Sequence, residues 1–228
     1  MTADVIDETV TGTPAGATPT RLRTVLLAVI AVAVLAVAVA GGFYWGTKNG
    51  SSSTTKPSAV DIGFARDMAT HHQQAVTMAA YVRDTSTDPE VITLAYDIES
   101  SQTAQMGEMT GWLDSWNLSR YSPHPMLWMG AAHASHVVNG LMPGMATPAQ
   151  MTRLMSLHGK ALDVLFLQLM IRHHQGGLPM AQFATQHASE PYVRTLAGHI
   201  VAGQSAEIVT MEQMLRQRGS SPLPKPAT

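Results

Sequence analysis

Residues 61–114 read DIGFARDMATHHQQAVTMAAYVRDTSTDPEVITLAYDIESSQTAQMGEMTGWLD, and residues 163–216 read DVLFLQLMIRHHQGGLPMAQFATQHASEPYVRTLAGHIVAGQSAEIVTMEQMLR. The two stretches align without a gap at an offset of 102, with 18 of 54 positions identical. Unrelated segments of this length share only a handful, so the pair reads as an internal duplication. In the first copy Phe64, Met68, His71, Ala75, Met78 and Val82 recur at alternating steps of four and three, one face of an α-helix. Thr87-Asp88-Pro89-Glu90 then supplies turn and cap chemistry, with Asp88 as N-cap and Pro89 in the first helical position. Val91, Leu94/Ala95, Ile98, Gln102, Gln105/Met106, Met109 and Leu113 trace a second stripe. Each copy is therefore a predicted helical hairpin. Two hairpins make an all-α, four-helix bundle spanning residues 59–218, because pairing is how such stripes leave water.

Between the copies, residues 117–162 are less regular. SPHPMLWMG reads as a proline-broken loop, and Pro143-Gly144 as a turn. Thr147 is placed to cap a helix that has Pro148 first inside and Gln150 three residues on. Gly159 is expected to end or bend that helix before the next begins near Asp163. The last residues, 219–228, read as a disordered tail.

The N-terminal quarter is different in kind. Residues 1–20 are rich in Thr, Ala, Gly and Pro and have no apolar period, the composition of a disordered, cytoplasmic tail. Residues 21–47 read as a transmembrane anchor: no charge occurs from Thr24 to Thr47, enough helix to cross about 30 Å of hydrocarbon. Arg21 and Arg23 precede it and place the N-terminus inside, with the bundle extracytoplasmic; Phe43, Tyr44 and Trp45 suit the outer interface. Ala38-Val39-Ala40 keeps a cleaved signal peptide as the alternative. Residues 48–58 read as a flexible linker.

Net charge is −2 and charged residues make up 13% of the chain, so no basic surface argues for nucleic acid. Cysteine is absent, which removes disulfides and thiolate metal sites. Fifteen methionines and ten histidines are an excess, and every methionine except Met1 falls between Met68 and Met214. The pattern M-x2-HH-x5-M occurs in both copies, as Met68, His71, His72, Met78 and as Met170, His173, His174, Met180. Helical spacing sets Met68 beside His71 and His72, and Met78 two turns further along that face. Imidazole and thioether groups suit copper, the thioethers selecting Cu(I). Each methionine read alone is a core filler. A histidine pair kept on an apolar stripe in both copies needs its nitrogens satisfied, either by a metal or by a buried polar network with Gln102 and Gln204. Those glutamines are also candidate orienters of metal-bound histidines.

The connector adds weaker candidates. Met142 and Met145 flank a turn, and Met126, Met129, Met151 and Met155 make the region Met-rich. His133 and His136 are three apart; His124, His158, His187 and His199 are not duplicated and default to structural or surface roles. No Glu-x-x-His, His-Glu-x-x-His, Gly-x-Ser-x-Gly or phosphate-loop pattern occurs, so di-iron, zinc-protease, hydrolase and nucleotide chemistry have no support. Asp61 and Asp163 read as acids at helix starts, and no catalysis is expected.

MPGMATPAQMTRLMSLHGKALDVLFLQLMIRHHQGGLPMAQFA and FARDMATHHQQAVTMAAYV resemble the domain-of-unknown-function family 305, with F-x3-M-x2-HH-x5-MA matched in both copies. The resemblance covers about residues 58–218. It implies a ferritin-like four-helix bundle, exported or membrane-anchored, and copper binding through His and Met in some relatives. Carried over residue by residue, it points to Met68, His71, His72, Met78, Met170, His173, His174, Met180, Met142 and Met145. Pro179 departs from Thr77 of the first copy and is expected to bend the helix beside Met180; Gly176-Gly177 is expected to loosen it further. The resulting expectation is an anchored protein that sequesters copper or hands it on. Its expected partners are the metal ion, the membrane, and a protein that receives the metal or assembles with the bundle. The alternatives are a structural or assembly subunit of a membrane complex and, less favoured, a metal-dependent oxidase.

Overall fold

Ser58 starts the first helix by a reciprocal cap: its hydroxyl accepts from the Asp61 N–H, and the Asp61 carboxylate accepts from the Ser58 backbone and hydroxyl. The computed structural model describes residues 56–226. The tail at 1–20, the span at 21–47 and the linker up to residue 55 lie outside the described residues. Among the described residues no helix is long and apolar enough to cross a membrane.

Six α-helices and no strand occur among the described residues. Helix α1 is Ala59–Thr85 and α2 is Pro89–Ser115. The connector holds a 3-10 turn, Leu127–Met129, then α3 (Ala131–Ala134) and α4 (Pro148–Ser156). Helix α5 is Gly159–His187 and α6 is Pro191–Gln217. The caps at Asp88 and Thr147 are as the sequence predicts, each with proline in the first turn. One boundary differs. Gly159 opens α5 rather than closing α4, so Asp163 lies one turn inside the helix.

Helix α1 packs on α2, α5 on α6, and α1 on α5. All six residues of the first predicted stripe are fully buried. Phe64 and Phe166, equivalent positions of the two copies, are fully buried as well; each contributes about 2 kcal/mol in removing its ring from water. Apolar residues form two clusters. One contains Met78, Met170, Met211 and Met214; the other contains Met68, Met109, Met126, Met129, Met142 and Met180. Met68 thus keeps company with Met180, and Met78 with Met170. That pairing requires α1 and α5 to run antiparallel, with the histidine pairs between the clusters.

The hairpins brace each other through equivalent acids. The Asp61 carboxylate accepts from the Ser189 hydroxyl (2.8 Å) and the Glu190 N–H (3.0 Å) in the α5–α6 turn. Asp163 accepts from the Ser86 hydroxyl (2.7 Å) in the α1–α2 turn. Burial opposes ionisation of Asp61, but hydrogen bonds from Ser58, Glu190 and Ser189 outweigh it and hold the carboxyl below the usual carboxylate range. The two aspartates are therefore cross-braces and not only helix-start acids.

Two further expectations are corrected. The connector methionines were read from an irregular, proline-broken segment as weaker candidate ligands and not as core, yet Met126, Met129 and Met142 are buried in the second cluster and Met145 packs against it. The C-terminal segment, predicted to be disordered, returns along the bundle as far as it is described: the Gln168 amide donates to the Ser221 carbonyl (2.8 Å), and Leu223 packs on the first cluster.

Candidate metal centre

The four paired histidines, His71, His72, His173 and His174, are completely buried. Helical spacing turns His71 on α1 and His173 on α5 toward each other, and their rings stack with centroids 3.8 Å apart at 37°. The duplicated motif therefore builds one shared layer between the central helices and not two separate clusters.

Each flanking histidine turns to the second helix of its own hairpin. The His72 Nε2–H donates to Gln105 Oε1 (2.7 Å), and the His174 Nε2–H donates to Glu207 Oε2 (2.6 Å). The His71 Nε2–H donates to the Pro143 carbonyl (3.1 Å). A carbonyl or carboxylate oxygen can only accept, so these contacts put the proton on Nε2. In all three rings Nδ1 is then left buried without a partner. Neither ring nitrogen of His173 is hydrogen-bonded, and both side-chain amide atoms of Gln102 and of Gln204 are buried and unpartnered. Unpaired buried polar atoms are rare in native proteins and cost about 1–3 kcal/mol each. Here nine of them belong to the four paired histidines and the two equivalent glutamines.

Burial pushes the His71 imidazole down to about 4, against the Pro143 hydrogen bond that favours the charged form. It pushes His72 down to about 3, against the bond to Gln105. His173 lies well below the ordinary histidine value, first through burial, then through the neighbouring imidazoles of His71, His174 and His72, with the His71 backbone opposing weakly. At neutral pH these three rings are uncharged. In His71 and His72 the free Nδ1 is consequently a lone pair, the form that ligates a metal.

The Met142-Pro143-Gly144-Met145 turn lies against this layer. A β-carbon on Gly176 would fall 2.0 Å from the Pro143 carbonyl oxygen, and one on Gly144 would fall 2.4 Å from the Arg172 carbonyl. Gly144 also holds a φ of +82°, which disfavours any side chain. Gln74, the equivalent of Gly176 in α1, clamps the same loop from the other side. Its amide donates to the Ala146 carbonyl (2.9 Å), and its carbonyl accepts from the Ala146 N–H (2.6 Å). The glycine pair was predicted to loosen α5; Gly176 instead lets the loop press against the helix. A β-carbon on Gly177 would meet Gln204 Oε1 and the His71 ring at 3.2 Å, which places Gln204 beside the layer. Helix α5 continues through Pro179, and Met180 is fully buried like Met78.

Sequence reasoning named Gln102 and Gln204 as the histidines' partners; the partners in the structure are Gln105 and Glu207. The signal was present: both are acceptors at equivalent positions, 33 residues beyond the histidine each one holds. His133 and His136 meet edge-on with centroids 6.2 Å apart, beside Phe183. Among the described residues no group of three or more His, Asp and Glu side chains is arranged to hold a metal ion by itself.

A helical bundle with paired histidines buried between methionine-lined apolar layers defines the class. The chain belongs to the family described as Domain of unknown function (DUF305), which matches residues 61–215. It is similar to a crystal structure of a putative secreted DUF305 protein from Streptomyces coelicolor, with 44% identity, a TM-score of 0.67, and coverage of 72% of this chain and 97% of that one. A DUF305 fragment from Deinococcus radiodurans is 34% identical, with a TM-score of 0.59 and coverage of 71% and 98%. CopM in its Cu(II)-bound form is 28% identical, with a TM-score of 0.56 and coverage of 69% and 96%; CopM is also known in Cu(I)-bound, Ag-bound and apo forms. No curated protein matches the chain.

Proposed function

We propose that the bundle binds copper, as cargo for sequestration or handover, and that residues 21–47 tether it to the extracytoplasmic face of a membrane. The observation that carries this reading is the set of orphaned nitrogens: Nδ1 of His71, His72 and His174, and both ring nitrogens of His173, are buried with no partner. The donor chemistry fits the ion. Imidazoles are borderline ligands and thioethers soft ones, the pairing that suits Cu(I) and Ag(I). Met68, Met78, Met170 and Met180 lie in the clusters on either side of the layer, Met142 in the same cluster as Met68 and Met180, and Met145 packed against that cluster. Among the described residues His, Asp and Glu alone do not gather into a site, and in this reading one or more of these thioethers joins the imidazoles as a ligand. CopM, similar over 69% of this chain, has been crystallised with copper and with silver.

The structural-subunit reading draws on the three hydrogen bonds made through Nε2. The second nitrogen of each ring has no hydrogen-bond partner among the described residues, which favours the metal reading over a purely structural network. The test is Cu(I) competition with a chelator of known affinity, using the full-length protein and His71/His72/His173/His174→Ala, with circular dichroism to verify that the helices persist. A loss of about a hundredfold or more is expected, about 2.7 kcal/mol at 1.36 kcal/mol per tenfold. Unchanged affinity in the folded quadruple variant overturns the reading. Met142→Leu/Met145→Leu, which preserves apolar volume, is the milder companion, expected to weaken binding about tenfold.

A further inference from the structure

The two flanking histidines differ in one respect that the duplication does not share. His72 is held by the neutral Gln105 at 2.7 Å, and His174 by the carboxylate of Glu207 at 2.6 Å, both through Nε2 and both fully buried. Glu207 is only partly exposed, its side chain 24% accessible. Among the described residues, the groups that meet the layer at His71, His72 and Gly177 are neutral: the Pro143 carbonyl, and the amides of Gln105 and Gln204. A metal cation entering this layer therefore meets its counter-charge on one side, through His174.

We propose that Glu207 is a positioning residue that sets the layer's preference between Cu(II) and Cu(I). The proposal rests on the metal-binding reading above. Two effects act in the same direction. A carboxylate drawing on Nε2–H makes the opposite nitrogen of the ring a stronger donor. Its negative charge, acting through a weakly polar interior, stabilises a doubly charged ion more than a singly charged one. Both favour the oxidised metal relative to a site whose histidines are held by amides alone. No bond to Glu207 itself is required.

Glu207→Gln keeps the acceptor and the shape, and makes the second hairpin like the first. In copper-loaded full-length protein this variant is expected to lose about tenfold more affinity for Cu(II) than for Cu(I), raising the midpoint potential by about 59 mV for a one-electron couple. Gln105→Glu is expected to move the potential down, and the double exchange to bring it back near wild type. A mere clamp between α5 and α6 would change the melting temperature of the metal-free protein and leave the potential in place. An unmoved potential in Glu207→Gln, with wild type binding copper, overturns the inference alone. Failure of wild type to bind Cu(I) overturns the metal-binding reading and takes this inference with it.

Discussion

The hairpins α1–α2 and α5–α6 bring the same histidine pair to the layer yet do different work against the loop that lies on it. In the first, position 74 is a glutamine whose amide grips the Ala146 backbone; in the second, the same position is Gly176, bare so that the Pro143 carbonyl can press against the helix. One loop between two related helices cannot be met identically from both sides. One side must hold it and the other must make room. The acids differ in the same way: Asp61 receives the Ser189 hydroxyl and the Glu190 N–H, whereas Asp163 receives the Ser86 hydroxyl. What the hairpins keep in common is the buried His-His pair. The histidines themselves are shared, and the divergence lies in what surrounds them: the residue that meets the loop, Gln74 or Gly176, and the acceptor that holds the flanking ring, Gln105 or Glu207.

Acid is expected to have the largest effect, because it acts on what the hairpins share. His71, His72 and His173 titrate in the folded state below the ordinary histidine value of 6.5. The unfolded chain binds more protons once pH drops below about 6.5, so the stability of the metal-free protein is full above that pH. It is expected to fall with acid through the window down to about 4 for His71 and about 3 for His72, by about 1.4 kcal/mol per pH unit for each ring. Chemical denaturation at pH 7.5, 6 and 5 measures this. A flat profile would mean that the imidazoles are not buried neutral in either hairpin.

Gly176→Gln comes next, since it imposes the first hairpin's residue on the second. The side chain has no space beside Pro143, and a loss of about 3 kcal/mol is expected, despite the helix preference for glutamine over glycine of roughly 0.5 kcal/mol. If the variant is as stable as wild type, loop and helix are not in close contact there.

The smallest effect separates the braces. Asp61→Ala should cost about 2–3 kcal/mol, through loss of the cap and of the bonds to the α5–α6 turn, and Asp163→Ala about 1 kcal/mol. Equal melting temperatures for the two variants would remove this asymmetry between the hairpins.

Much of this architecture was legible without coordinates. The stripe from Phe64 to Val82 depends only on helical period, and the caps at Asp88 and Thr147 are chemistry within four residues. For the same reason the ten candidate ligands could be assigned to helix faces or to the turn. The partners of the histidines could not: Gln102 and Gln105 both lie near the stripe, and a rotation of α2 by a fraction of a turn decides which one meets His72. The connector methionines misled because a loop that packs as core has no periodicity to reveal it.

The sequence by itself determined the hairpins, their buried faces, and the presence of imidazole and thioether groups on those faces, because each follows from interactions between residues close along the chain. Tertiary structure alone decided that His71 stacks on His173, that Gly176 makes room for Pro143, and that His174 rather than His72 has a carboxylate partner. Those contacts depend on how helices and a loop from 33 to 102 residues apart along the chain pack together. That arrangement is set by packing of the whole bundle, not by any local pattern.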